Sequence, residues 1–92
     1  MRIKISSSIV LYQNEIVELN KAIECILATN VEIKLYLIDN SPTDILKSLN
    51  SDSRIEYTHF PENPGFGAGH NVAIQKAIEM NSEYHFVINQ DI

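Results

Sequence analysis

Leu35-Tyr36-Leu37-Ile38 is the segment that most constrains what this chain can fold into. Four consecutive apolar residues leave a strand without a polar face, so both faces have to be covered. Such a strand belongs inside a parallel sheet with helices on either side. The remaining sequence supplies the partners that sheet needs. Ile3 to Tyr12 reads as a first strand, Val31 to Asp39 as the second, Arg54 to Phe60 as the third and Tyr84 to Ile88 as the fourth. Glu15 to Ala28 follows a helical period, with Asn14 as its N-cap and Ile16, Leu19, Ile23, Ile26 and Leu27 in one stripe. Thr43 can cap a short helix from Asp44 to Leu49. A third helix runs from about Ala68 to Met80, with Ala73, Ile74, Ala77, Ile78 and Met80 on its apolar side. Alternating strands and helices predict βαβ units, a parallel sheet and the α/β class.

Composition narrows the function more than the fold. The chain has 92 residues, enough for one domain. Its 45% apolar and 21% charged residues exclude a disordered or collagen-like chain. No apolar run approaches the roughly 20 residues of a membrane helix, and Ile9-Val10-Leu11 is too short for a signal-peptide core. Twelve acidic and seven basic residues give a net charge of −5 with no basic cluster, which argues against nucleic-acid binding and against docking of this segment on anionic lipid. Cys25 is the single cysteine, so no internal disulfide can form and a reduced, cytoplasmic setting is expected. It should be a partly exposed thiol without a base to activate it.

In open parallel sheets, ligands bind outside the carboxyl ends of the strands. Every unusual cluster in this sequence falls at such an end. Tyr12-Gln13-Asn14 follows the first strand, and Tyr12 is either a core aromatic or a platform for a base. Asp39-Asn40-Ser41-Pro42 follows the second. Asp39 can accept from a base N–H or a ribose hydroxyl, or can simply form the turn. Pro61 to Gly69 follows the third strand and holds all three glycines, Gly65, Gly67 and Gly69. Glycines at a helix N-terminus let backbone approach an anion closely, or serve only as a turn into the helix. The spacing is not a dinucleotide fingerprint, because His70 stands where the last glycine belongs, and no Gly-Lys-Ser/Thr marks a phosphate loop. His70 itself reads as a half-buried, hydrogen-bonded structural histidine, while Asn71 on the flank can reach back over the loop. Asn89-Gln90-Asp91 follows the fourth strand, where Asp91 can hold a divalent cation or be a solvated turn residue.

Taken in order, these pieces resemble family 2 inverting glycosyltransferases with the GT-A fold. Ser8-Ile9-Val10-Leu11-Tyr12-Gln13-Asn14 is similar to the family's first strand, matched in part at Tyr12. Leu37-Ile38-Asp39-Asn40-Ser41 is similar to its Val-Asp-Asn-Ser segment. Asn63-Pro64-Gly65-Phe66-Gly67-Ala68-Gly69-His70-Asn71 resembles its Asn-x-Gly-Phe-Gly-x-Gly-x-Asn loop, and Asn89-Gln90-Asp91-Ile92 a variant of its DXD metal motif. The combination is most similar to rhamnosyltransferase-like members and spans nearly the whole chain. The resemblance implies a Rossmann-like βαβαβαβ order and a donor that is a nucleoside-diphosphate sugar, dTDP- or UDP-linked. It implies that Tyr12 lies against the base and Asp39 bonds the base or ribose. Gly65, Gly67, Gly69 and Asn71 would line the diphosphate and sugar, and Asp91 would hold Mg²⁺ or Mn²⁺. The general base and the site for a glycan or lipid-linked acceptor would lie beyond Asp91, so residues 1–92 alone should bind donor without transferring it. Membrane association of the whole protein would then be left to that further part.

Two other classes compete. A receiver-type signalling domain shares the alternating pattern but needs acids after its first strand, where Leu11, Tyr12 and Gln13 stand. A non-catalytic partner module would use an exposed fourth strand at the sheet edge, through which the chain could also self-associate.

Overall fold

The computed structural model describes residues 4–28, 32–49, 52–62 and 66–88. Among the described residues the fold is α/β, with one four-stranded, all-parallel sheet in the order β3-β2-β1-β4 and two α-helices, compatible with a Rossmann-like fold. The strands are β1 (Ile5–Leu11), β2 (Ile33–Asp39), β3 (Ile55–His59) and β4 (Tyr84–Ile88). The helices are α1 (Ile16–Leu27) and α2 (Phe66–Glu79), with a 3-10 helix at Ile45–Leu49. Register is in phase across the sheet: Ile9 pairs with Leu37 and Ile88, and Leu37 with Tyr57.

The run that defines β2 is buried throughout, from Leu35 to Asp39. Its side chains feed two cores. Leu35 and Leu37 join Ile9, Leu11, Ile55, Leu46 and the α1 residues Leu19 and Ile23 on one face. Tyr36 and Ile38 join Val10 and the α2 residues Ala73 and Ala77 on the other. Each fully buried Leu or Ile contributes about 1.5–3 kcal/mol relative to an exposed one, so the doubly covered β1 and β2 dominate the hydrophobic stabilisation.

Local details differ from the sequence expectation for identifiable reasons. The N-cap of α1 is Glu15, not Asn14: its carboxylate accepts from the Val17 and Glu18 amides at 3.1 and 3.0 Å. Asn14 Oδ1 instead accepts from the Tyr12 amide at 2.7 Å, closing the turn that leaves β1. Ile16, expected on the apolar stripe, is 40% exposed, because the chain is still entering the helix there. The segment expected to be a short helix from Asp44 forms a 3-10 turn one residue later, with Lys47 N–H bonding Asp44 O at 2.9 Å. At its far end, α1 is closed by Arg54, whose Nη1 donates to Leu27 O at 2.9 Å while its other donors clasp Asp52.

α2 begins at Phe66, two residues before the expected start, and its buried side is rotated away from Ile78. The contact row is Gly69, Ala73 and Ala77, spaced four apart, and Ile78 stays exposed. Small residues let the helix approach the sheet closely. A Cβ on Gly69 would lie 2.8 Å from Val10 Cγ2, so glycine is required there by contact. The helix ends in a Schellman motif. Asn81 takes the left-handed position at φ 60°, its N–H bonds Ile78 O at 3.0 Å, and Ser82 N–H bonds Ala77 O at 2.9 Å.

β4 lies at the sheet edge, as the partner-module reading requires. Tyr84, Phe86 and Val87 are each at least half exposed. No helix among the described residues is long and apolar enough to cross a membrane.

Candidate functional site

Because all four strands are parallel, the loops after them share one edge of the sheet. The loops after β1 and β2 are built into one unit. Asn40 N–H donates to Leu11 O at 2.8 Å, and Gln13 N–H donates to Ser41 Oγ at 2.7 Å. Gln13 adopts φ 50°, a left-handed conformation that costs a non-glycine residue energy and is held by this fixed turn. Phe60 N–H donates to Asp39 O at 2.7 Å and His59 Nε2–H to Ser41 O at 2.9 Å, tying in the end of β3.

Asp39 is the centre of this construction. It is fully buried, its Oδ1 accepts from the Ser41 amide at 2.9 Å, and its Oδ2 accepts from the Tyr57 hydroxyl at 2.5 Å. A buried carboxylate needs such donors, because desolvation without them is costly. Tyr57 responds in kind: burial first, then the hydrogen bond to Asp39, pushes its phenol well above the ordinary tyrosine range. The carboxylate therefore braces the β2 loop, and through Ser41 it also braces the β1 loop. Sequence reasoning missed Tyr57. Its signal is the period-2 placement that puts Tyr57 on the same sheet face as Leu37, one strand over and close to Asp39.

Beside this brace lies a cleft of about 280 Å³ lined by Gln13, Asn14, Ile16, Ser41, Thr43, Ile45 and Leu46. Its walls mix apolar side chains with a few polar ones, as small-molecule sites do. Tyr12 stands 46% exposed next to it, which places this aromatic at the surface and not in the core. Asn40 is buried at 2% exposure and lies outside the lining of this cleft; among the described residues no group bonds its Oδ1.

The glycine segment divides. Gly67 is exposed, with open space around the position a Cβ would take. Gly69 is buried against Val10 and Ile38, so it serves the packing of α2 and sets how near the helix start comes to the sheet. Asn71 is exposed and lines a second cleft of about 590 Å³ with Phe60, Ala68, Val72, Gln75, Lys76 and Glu79. That cleft belongs to the α2 side, whereas Tyr12 and Asp39 belong to the rim above α1. Gly65 and Asp91, with Asn89 and Gln90, lie outside the described residues. Among the described residues, no three His, Cys, Asp or Glu side chains gather in a way that could hold a metal ion. His70 is buried at 6% exposure and bonded to Ser8, matching the structural role expected for it, and Cys25 is exposed.

Comparison with known proteins returns no matching family model, no matching curated protein and no matching solved structure.

Proposed function

We propose that this chain is the donor-binding part of a GT-A glycosyltransferase and binds a nucleoside-diphosphate sugar at the carboxyl edge of its sheet. The observation that carries the reading is the brace of Tyr57, Asp39, Ser41 and Gln13, which fixes two adjacent loops around a cleft at the edge where parallel α/β sheets take ligands. Exposed Tyr12 supplies a face for the base. Asp39 contributes to the base or ribose corner of that site. Gly67 leaves open space beside the diphosphate, Gly69 brings the helix close to the sheet, and Asn71 flanks it, with Gly65 assigned to the same loop by the resemblance alone. Amide groups at a helix start favour such an anion.

In the reaction proposed for the whole protein, an acceptor hydroxyl forms a bond to the anomeric carbon as the bond to the diphosphate oxygen breaks, releasing a nucleoside diphosphate while the hydroxyl proton passes to a general base. Asp91 would hold Mg²⁺ or Mn²⁺ against the diphosphate, where the ion supplies Lewis-acid stabilisation of the leaving charge. One carboxylate with diphosphate oxygens suits either ion. No described residue is assigned as general base.

Titration of the chain with UDP and dTDP, with and without Mn²⁺, tests this. Asp39→Ala should weaken nucleotide binding under both conditions, and Asp91→Ala should remove only the metal-dependent increment. Circular dichroism of both variants checks that the fold is intact. If neither substitution changes binding, the site assignment fails.

The exposed β4 edge favours a second reading, a partner-binding module. Tyr84, Phe86 and Val87 are exposed on a strand without Lys, Pro or any acidic residue to discourage pairing. A concentration-dependent dimer that Phe86→Lys dissolves, in a chain that binds no nucleotide, would favour it.

A further inference from the structure

A second polar system lies away from the cleft, between β1, α2 and β4. Five side chains form one continuous hydrogen-bonded chain. Ser82 Oγ lies 2.9 Å from Ser6 Oγ, and Ser6 Oγ lies 2.7 Å from His85 Nδ1. His85 Nε2 lies 2.9 Å from Ser8 Oγ, and Ser8 Oγ lies 2.7 Å from His70 Nδ1. Ser6 and Ser8 are fully buried and His70 nearly so. The chain joins the first turn of α2 and the edge strand β4 to the central strand β1.

Proton counting decides what this system can hold. A serine hydroxyl has one proton to donate, and Ser8 sits between two imidazoles. With both histidines neutral, His85 Nε2–H donates to Ser8, Ser8 donates to His70 Nδ1, and Ser6 donates to His85 Nδ1. The reverse direction works equally well, with Ser6 then donating to Tyr84 O at 3.4 Å or to Ser82. One extra proton is also accommodated: a His70 imidazolium donates to Ser8, Ser8 donates to His85 Nε2, and His85 Nδ1–H donates to Ser6. A second proton is not. Both rings would then donate to Ser8, the Ser8 proton would lose its acceptor, and two cations would share one oxygen.

We infer that buried His70 and half-buried His85 form a paired site that holds one proton but not two, so that acidification past the first protonation uncouples α2 and β4 from β1. Among the described residues, Ser6 and Ser8 of β1 bond His85, His70 of α2 acts on it by charge, and Ser82 from the turn before β4 bonds Ser6. Among the described residues, the charge that acts on His85 is that of His70. Burial first, and His70 second, hold the His85 imidazole below the ordinary histidine range. A depressed histidine favours the neutral fold. The stability it contributes is therefore complete above the unfolded value of about 6.5 and is lost as pH falls through the folded value. This device is independent of what the cleft binds.

The test follows the ring carbon signals of the three histidines in the labelled chain from pH 8 to pH 4, with urea midpoints at pH 7.5 and 5.5. His70 and His85 should titrate as a coupled pair, in two steps more than one pH unit apart. The second step should coincide with loss of amide protection in β4 and in α2 from His70 onward. In His85→Gln, His70 should titrate in a single step, and the drop in urea midpoint between the two pH values should shrink by at least half. Independent titration of both rings near pH 6.5 in the native chain, with β4 still protected, overturns the inference. An unchanged pH dependence in His85→Gln does the same. If that variant does not fold, the two-step titration of the native chain decides alone.

Discussion

The two faces of the sheet solve the same problem, a buried polar cluster, in opposite ways. On the α1 face, Asp39 sits at the end of β2 and directs its hydrogen bonds outward into loops. On the α2 face, Ser6 and Ser8 sit within β1 and direct theirs sideways, into a helix and an edge strand. The first cluster shapes a rim and reaches the core only through Tyr57. The second holds whole elements together, with Ser6 and Ser8 fully buried and His85 partly so. A polar group at a strand end therefore braces loops, whereas one in a strand interior joins elements.

Four perturbations sharpen the contrast. The largest effect is expected from Gly69→Val, because even its Cβ meets Val10 at 2.8 Å. Overpacking of this kind costs about 1–3 kcal/mol or more, and urea unfolding should place Gly69→Val at the upper end. Next is Tyr57→Phe, which leaves one oxygen of a buried carboxylate without its donor. We expect a loss of about 2 kcal/mol by the same measurement, with weaker nucleotide binding as the loops loosen. The tyrosine also makes a pH prediction. Its phenol is held neutral above the ordinary range, so stability is intact below about pH 10 and falls as pH rises through the shifted value. Tyr57→Phe should lose that alkaline slope.

Two smaller effects complete the set. Gly67→Ala should stabilise by about 0.5–1 kcal/mol, since the added methyl meets open space within a helix. A glycine that behaves like Gly69 there would erase the distinction drawn between the two. Lys76→Ala removes an exposed ion pair with Glu56 at 2.9 Å and should cost less than about 1 kcal/mol, an effect that vanishes at high salt.

Much of the architecture is legible from residues alone. The unbroken apolar run of β2 announces a central strand, and β4 is bounded as expected because polar residues flank it. Helix faces are less legible where contact depends on small residues. The eye follows Ile74 and Ile78 along α2, but the sheet selects Gly69, Ala73 and Ala77, because closeness of approach outweighs side-chain size. Capping is ambiguous when Asn14 and Glu15 adjoin, since both can accept backbone protons and only the turn geometry separates them. At the site, a carboxylate after an apolar strand draws attention to Asp39, yet its donor Tyr57 lies 18 residues away on another strand and has no local signature. The serines of β1 carry still less signal, because their partners His70 and His85 become neighbours only once α2 has crossed the sheet.

A nucleotide site formed by the loops after β1 and β2 is tested most directly by an amide chemical-shift map of the labelled chain titrated with UDP and dTDP. Saturable shifts are expected at Tyr12, Gln13, Asn14, Asn40 and Ser41, with β4 unmoved. Shifts confined to the α2 cleft around Asn71 and Gln75, or none at millimolar nucleotide, would contradict it.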